Sequence, residues 1–137
     1  MVTVRELMST HLVTIGETDS LADARELMDE HDVRHLPVLD AGRGFAGLLT
    51  ERDLLASCGA PRGSNPLPAF GSIPVHRVMN RAVTGVEPSV DARSAARHLL
   101  EHKHGCLPVV EGGQLVGLVT EADFVALAVR LLERDAG

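Results

Sequence analysis

Apolar positions follow helical spacing in two separate segments of the chain, residues 20–31 and 91–102. In both segments apolar residues recur every three to four positions, which predicts an amphipathic helix with one buried stripe. Ser20 and Asp91 precede the two stripes and can cap the helices, because a side-chain oxygen there accepts a hydrogen bond from a backbone N–H. The predicted stripes are Leu21, Ala24, Leu27, Met28 and His31, and Ala92, Ala95, Ala96, Leu99 and Leu100.

Short apolar runs flank both predicted helices and indicate buried strands. Each helix follows one strand and precedes two more strands, which a glycine-containing turn joins. The predicted strands are 12–15, 35–39 and 45–49 in the first half, and 83–86, 106–110 and 115–119 in the second. Closing helices begin near Glu51 and Glu121, and the second one extends to about Arg134. Each half therefore has the order βαββα, and the predicted fold class is α+β.

The two halves are copies of one sequence unit. Leu36-Pro37-Val38 matches Leu107-Pro108-Val109 at a separation of 71 residues. After the glycine turn the separation falls to 70 residues, so that Thr50-Glu-Arg-Asp53 matches Thr120-Glu-Ala-Asp123. A one-residue deletion in the turn explains the change, since turns tolerate deletions. Two matches with one shift in a turn indicate an internal duplication.

The repeat also predicts how the chain is divided. We expect one repeat over residues 1–58 and a second over 75–137. Residues 59–74 contain seven Gly or Pro residues and predict a linker without regular structure. Met8 and Met79 occupy matching positions near the start of the two repeats.

Composition limits the possible function classes. The chain has no Trp or Tyr and only three Phe, so its core must be aliphatic. The net charge is -6 and no Lys/Arg cluster occurs, which argues against binding to nucleic acid or to an anionic membrane surface. No apolar run approaches the length of a membrane span. We therefore expect a cytoplasmic protein in which Cys58 and Cys106 are buried reduced thiols, and the alternative is a disulfide or a metal-binding pair.

The duplicated motifs resemble a tandem pair of CBS domains, also called a Bateman module. The signatures are Leu-Pro-Val in the second strand and Gly-hydrophobic-hydrophobic-Thr-x-x-Asp across the third strand and the closing helix. The resemblance implies two repeats packed about a pseudo-twofold axis through their small sheets, as in a standalone CBS-domain protein. It also implies two clefts that bind AMP, ADP, ATP or S-adenosylmethionine, no other required cofactor, and pairing into a homodimer.

The Thr-x-x-Asp motifs are the strongest candidates for a ligand site. Thr50 and Asp53, and likewise Thr120 and Asp123, stand where a strand passes into a helix. An Asp in the first helical turn could accept hydrogen bonds from both hydroxyls of a ribose, and the Thr could meet a phosphate. The alternative is that each motif only caps its helix. Their presence at the same place in both repeats favours the binding role.

The candidate phosphate ligands differ between the repeats. The resemblance implies that Arg34 and His35, which precede Leu-Pro-Val, contact phosphate, and Arg52 lies inside the first Thr-x-x-Asp motif. The second repeat has Gly105, Cys106 and Ala122 at these positions, so the two clefts are not equivalent. The alternative for Arg34 is a solvated surface charge.

An adenine ring needs an apolar slot rather than one particular side chain. The candidates for this slot are Val13, Leu36, Val83 and Leu107, and the alternative for each is an ordinary core position. His98 and His102 are four residues apart with His104 nearby, but no carboxylate or cysteine completes a metal site, and we predict none.

These observations predict a regulatory sensor that binds an adenosine-containing ligand and signals to an unidentified partner protein. The alternative is a ligand-independent dimerisation module. We do not expect an enzyme, because no nucleophile, base and orienting group converge in the sequence. The apolar face of the last helix fits either packing within the chain or a dimer contact.

Overall fold

The computed structural model describes residues 1–57, 71–102 and 105–136. Its elements in chain order are α1 (Val4–Leu7), β1 (Ile15–Gly16), α2 (Leu21–His31), β2 (His35–Leu39), β3 (Phe45–Thr50), α3 (Glu51–Ser57), a 3₁₀ turn (Val75–Arg77), α4 (Ala92–His102), β4 (Cys106–Glu111), β5 (Gln114–Thr120) and α5 (Glu121–Ala136). The predicted α+β class is confirmed, because two small sheets carry helices in the repeated order. Much of the predicted linker, with Cys58, lies outside the described residues.

Contacts group the chain into two compact units that differ from the predicted division by sequence repeat. The continuous unit is Val13–Thr84, and the discontinuous unit joins Met1–Leu12 to Gly85–Gly137. The difference arises because α1 packs with elements of the second repeat, whereas the 3₁₀ turn packs with elements of the first. Sequence periodicity cannot show such a grouping, since the packing partners are distant in the chain.

The continuous unit contains a three-stranded sheet in the order β1-β2-β3. β1 pairs in parallel with β2, and β2 pairs antiparallel with β3, with His35 opposite Thr50. β1 is shorter than the predicted strand 12–15, because only Ile15 and Gly16 pair with β2. The core of this unit is formed by Ile15, Leu21, Ala24, Met28, Leu36, Val38, Leu49, Leu54, Val75 and Met79.

The discontinuous unit contains a two-stranded antiparallel sheet of β4 and β5, in which Cys106 lies opposite Thr120. The predicted strand 83–86 is reduced to a single parallel bridge between Val86 and Val109. The core is formed by Val4, Ala95, Leu99, Leu107, Val109 and Val119. The aliphatic character expected from the composition therefore holds in both units.

Residues 4–9 and 75–80, here called the exchanged segments, occupy matching places in the two units. Val4 is fully buried in the discontinuous unit, and Val75, which is 71 positions later, is fully buried in the continuous unit. Each segment ends in an antiparallel bridge to a strand, Ser9 with Leu118 and Asn80 with Leu48. Each repeat therefore supplies the segment that completes the other repeat's core.

Helix capping follows the sequence closely, whereas two positions of the predicted buried stripes, His31 and Leu100, are exposed. The hydroxyl of Ser20 accepts from the Asp23 N–H at 3.1 Å, and the Asp23 carboxylate accepts from the Ser20 N–H, which confirms the capping box. Asp91 accepts from the Arg93 N–H at 2.9 Å. Leu100, predicted in the stripe of α4, is 79% exposed because that helix buries Ala92, Ala95 and Leu99 instead.

The last helix, α5, presents an apolar surface to solvent. None of its residues is fully buried, and Val125, Val129 and Leu132 are 63%, 47% and 67% exposed. These three residues are spaced four and three positions apart and therefore lie on one face of the helix. Among the described residues, no helix combines the length and the hydrophobicity needed to cross a lipid bilayer.

Candidate functional site

The first Thr-x-x-Asp motif closes β3 and opens α3. The Asp53 N–H donates to Thr50 Oγ1 at 3.0 Å, and the Thr50 N–H donates to Asp53 Oδ2 at 3.4 Å. Both residues are half-buried. A carboxylate offers about four acceptor positions, so the cap uses only part of the capacity of Asp53. The motif is therefore a helix cap whose carboxylate retains the chemistry needed to accept ribose hydroxyls.

The second motif, where β5 passes into α5, shares one hydrogen bond with the first and differs in the other. The Thr120 N–H donates to Asp123 Oδ2 at 2.8 Å, and the Thr120 hydroxyl donates to the same oxygen at 3.3 Å. Thr120 and Asp123 are also half-buried. In both repeats the Thr N–H holds the Asp carboxylate, but only in the first does the Thr hydroxyl accept from the Asp N–H, so the capping alternative is complete in the first repeat alone.

The candidate phosphate ligands of the first repeat lie at the same end of the sheet as Thr50. His35 is the cross-strand partner of Thr50, and the carbonyl of Arg34 accepts from the Glu51 N–H at 3.0 Å. Arg34 and Arg52 are exposed, and His35 is half-buried. The antiparallel hairpin thus brings Arg34 and His35 beside the Thr50–Asp53 motif.

Sequence reasoning missed an ion-pair cluster beside this motif. Arg25 Nη1 of α2 lies 2.9 Å from Glu51 Oε2, and its Nη2 lies 3.2 Å from Asp29 Oδ1. The side chains of Arg25 and Glu51 are only 31% and 30% exposed. Because Arg25 binds the Glu51 carboxylate, it offsets a negative charge that directly follows Thr50. The spacing of Arg25 and Asp29 on one helix was visible in the sequence, but the pairing with α3 was not.

The matching end of the β4–β5 hairpin carries no such cations among the described residues. Gly105 replaces Arg34, and its carbonyl accepts from the Glu121 N–H at 3.3 Å. Cys106 replaces His35 and is fully buried. Burial raises the pKa of the Cys106 thiol from 9.0 to about 12, so the thiol is neutral at physiological pH. The two hairpin ends therefore differ in charge at these positions, and the inequivalence of the two clefts stays a prediction.

The four candidate adenine residues differ in how far their side chains are exposed to solvent. Leu36 and Leu107 lie in the cores of their units with 0% and 1% exposure, and Val83 is 5% exposed. Val13 is half-buried and packs against the core of the continuous unit. Extension of the β1–β2 register places Val13 beside Leu36, at the end of the sheet that carries Thr50. Val13 is therefore the best placed of the four candidates to contact a ligand.

The two histidines of α4 lie side by side on the helix. The rings of His98 and His102 stack with their centroids 4.1 Å apart, and His104 lies outside the described residues. In the part of the chain that the structure describes, no three His, Cys, Asp or Glu side chains are grouped to hold a metal ion.

Comparison with known proteins places these features in a family context. The CBS domain family matches the chain twice, over residues 4–59 and 75–130. The uncharacterized protein MJ1404 of Methanocaldococcus jannaschii is 32% identical over 130 residues, which are 89% of this chain and 31% of that protein. The chain therefore spans about a third of the length of this relative.

Two solved structures are similar over nearly the whole chain. AcuB from Vibrio cholerae has a TM-score of 0.86 and 36% identity, covering 100% of this chain and 98% of its own. CBSX2 from Arabidopsis thaliana, solved in complex with AMP, has a TM-score of 0.82 and 30% identity, covering 96% of this chain and 98% of its own. Both family matches begin at the exchanged segments, at residues 4 and 75.

Proposed function

Because the chain belongs to the CBS domain family as a tandem pair, we propose that it is a regulatory sensor for an adenosine-containing ligand such as AMP, ADP, ATP or S-adenosylmethionine. The observation that carries this proposal is the pair of half-buried Thr-x-x-Asp carboxylates, which both repeats hold in the same position. The similarity to CBSX2 supports it, since that protein was solved with AMP bound.

Each group has a distinct role in this proposal. Asp53 and Asp123 accept hydrogen bonds from the ribose hydroxyls, because an ionised carboxylate makes charge-assisted bonds with both. Arg34, His35 and Arg52 bind phosphate in the first repeat. Val13 is the side chain that the adenine touches in the first repeat, whereas Leu36, Val83 and Leu107 are buried residues that support the two candidate sites from within their own units.

Ligand binding regulates the protein only if two states of the chain bind the ligand differently. The capped helices α3 and α5 begin at the two candidate sites, so a ligand there favours the conformation in which the caps are formed. A partner protein that distinguishes the two conformations would then respond to the ligand. This mechanism needs no chemical step and no cofactor other than the ligand itself.

We also propose that the chain forms a homodimer through α5. The exposed stripe of Val125, Val129 and Leu132 is the observation that favours this assembly. A twofold contact brings identical stripes together, so an apolar face is complementary to its own copy. The same exposed stripe also favours the alternative function, a ligand-independent dimerisation module. Measuring whether the chain binds an adenosine-containing ligand distinguishes the sensor from the dimerisation module.

Calorimetry with AMP and adenosine tests the proposed function. Arg34→Ala is expected to weaken AMP binding by about 10- to 150-fold, because a hydrogen bond to a charged group contributes about 1.5–3 kcal/mol. Adenosine lacks the phosphate, so its affinity is expected to change by less than about twofold.

Arg43→Asn is a matched control, because Arg43 is an exposed cation at the opposite end of the same hairpin and has a left-handed φ of 66° that Asn tolerates. Its AMP affinity is expected to stay unchanged. Equal losses for AMP and adenosine in Arg34→Ala would mean that Arg34 supports the fold rather than the phosphate. A wild-type chain that binds neither compound at millimolar concentration would favour the dimerisation module.

A further inference from the structure

The charged residues around the two Thr-x-x-Asp motifs are conspicuously unequal. In the continuous unit they are Arg25, Asp29, Arg34, Glu51, Arg52 and Asp53, three cations and three carboxylates with a net charge of zero. The residues at matching positions of the second repeat are Ala96, Leu100, Gly105, Glu121, Ala122 and Asp123. At these six positions the second repeat therefore retains two carboxylates and none of the three cations, a net charge of -2.

The contacts show how Arg25 changes the first motif. Its guanidinium lies 2.9 Å from the Glu51 carboxylate and is two-thirds buried, so the pair is only partly screened by water. Glu121 occupies the position of Glu51 in the second motif, and Ala96 stands where Arg25 would be. Within residues 1–57, 71–102 and 105–136, Glu121 forms no ion pair, so its negative charge adds to that of Asp123.

We propose that the Thr120–Asp123 site selects an adenosyl ligand that lacks phosphate and carries a positive charge, such as a sulfonium, whereas the Thr50–Asp53 site selects a phosphorylated one. This inference rests on the proposed function and assigns a ligand class to each of its two sites. The physical reason is that like charges a few ångströms apart repel and opposite charges attract, by about 1 kcal/mol in water and more in partly buried places. Arg25 acts as a positioning residue, because it lowers the repulsion between Glu51 and a phosphate without itself belonging to the motif.

Two single-site variants test the assignment by calorimetry with AMP, adenosine and S-adenosylmethionine. Asp53→Ala leaves the second site, which is expected to bind S-adenosylmethionine at least about tenfold more tightly than AMP, a difference of about 1.4 kcal/mol. Asp123→Ala leaves the first site, for which the order is expected to reverse. Adenosine, which carries no charge, serves as the reference ligand for each variant.

Two substitutions that keep both Asp residues provide an independent test if the single-site variants fail to fold. Ala122→Arg restores the cation of the first motif, and it is expected to raise the AMP affinity of the second site about tenfold with adenosine unchanged. Arg25→Met keeps an unbranched apolar stem but removes the guanidinium and its charge, and it is expected to lower the AMP affinity of the first site severalfold with adenosine unchanged.

The possible outcomes separate this inference from the proposed function. A wild-type chain that binds none of the three compounds overturns both. A wild-type chain that binds them, with the same AMP to S-adenosylmethionine ratio within threefold in the two single-site variants, overturns only the assignment of ligand classes. Lys103, the chain's single lysine, lies outside the described residues, and a tenfold loss of AMP affinity at the second site in Lys103→Gln would also overturn it.

Discussion

Gly117→Ala tests whether the exchanged segment is packed as the structure shows. Gly117 lies in β5, and an added Cβ would overlap Met8 Sδ and lie 2.9 Å from Met8 Cγ. Contacts this short force the methionine out of its position or shift the strand. Overpacking of this kind costs about 1–3 kcal/mol. At roughly 3 °C per kcal/mol for a chain of this length, the melting temperature is expected to fall by about 3–9 °C.

The other half of the chain offers an internal comparison for this substitution. Gly47 is the matching glycine of β3, but an added Cβ there would lie 2.8 Å from the backbone oxygen of Asn80 and 3.3 Å from Met79 Sδ. A flexible side chain can be truncated, whereas a backbone carbonyl cannot. Met8→Ala removes Sδ and Cγ but keeps Cβ, which would lie 3.1 Å from the added atom, so it should relieve most of the strain of Gly117→Ala. Met79→Ala should leave most of the strain of Gly47→Ala.

Double-mutant cycles measure this difference. We expect the pair Met8→Ala and Gly117→Ala to cost at least about 1 kcal/mol less than the two single costs together, within the range seen for residues in contact. The pair Met79→Ala and Gly47→Ala is expected to be additive to within about 0.5 kcal/mol. Urea unfolding followed by circular dichroism is the suitable assay, because the chain has no Trp or Tyr for fluorescence. Additive costs for the Met8 and Gly117 pair would refute the packing of the exchanged segment.

Two further predictions concern other parts of the molecule. Burial raises the pKa of the Cys106 thiol from 9.0 to about 12. The stability that the neutral thiol retains is therefore complete below pH 9 and is lost as the pH rises toward 12. At full titration the free energy of unfolding falls by about 4 kcal/mol. Unfolding free energies measured from pH 8 to 11 should fall in the wild type, and an equal fall in Cys106→Ala would contradict this origin. Leu132→Glu on the exposed stripe of α5 should convert a dimer to a monomer in light scattering at micromolar concentration, whereas Ala126→Glu, beside the stripe, should not. A monomeric wild type would contradict the proposed dimer.

Most of the regular structure could be predicted from the sequence because it depends on local patterns. The helix over residues 21–31 follows from its apolar spacing and from the capping box at Ser20 and Asp23. The strand His35–Leu39 was predicted with its observed bounds, because a continuous apolar run ends at a turn. The match of Leu-Pro-Val and Thr-x-x-Asp between the halves correctly indicated a tandem pair of CBS domains.

What the sequence did not reveal depends on contacts between distant residues. The helix Val4–Leu7 is too short to show periodicity, and Val90, Leu107 and Val119 of the second repeat surround it. The match of Met8 with Met79 was visible, but their contacts with strand glycines were not. At the candidate site, the position of Thr50 and Asp53 could be predicted, whereas the ion pair of Arg25 with Glu51 needed the packing of α2 against α3.

The exchanged segments have a consequence for the order in which the chain acquires its structure during synthesis. Residues 13–84 form one uninterrupted stretch, so all the residues of this unit are available once residue 84 has left the ribosome. The other unit needs residues 1–12 together with residues from 85 onward. Residues 1–12 are thus made before residues 13–84 but acquire their packing partners after them. Bringing residues 1–12 together with residues after 84 has a modest entropic cost, because the entropy lost on closing a loop rises only with the logarithm of the loop length.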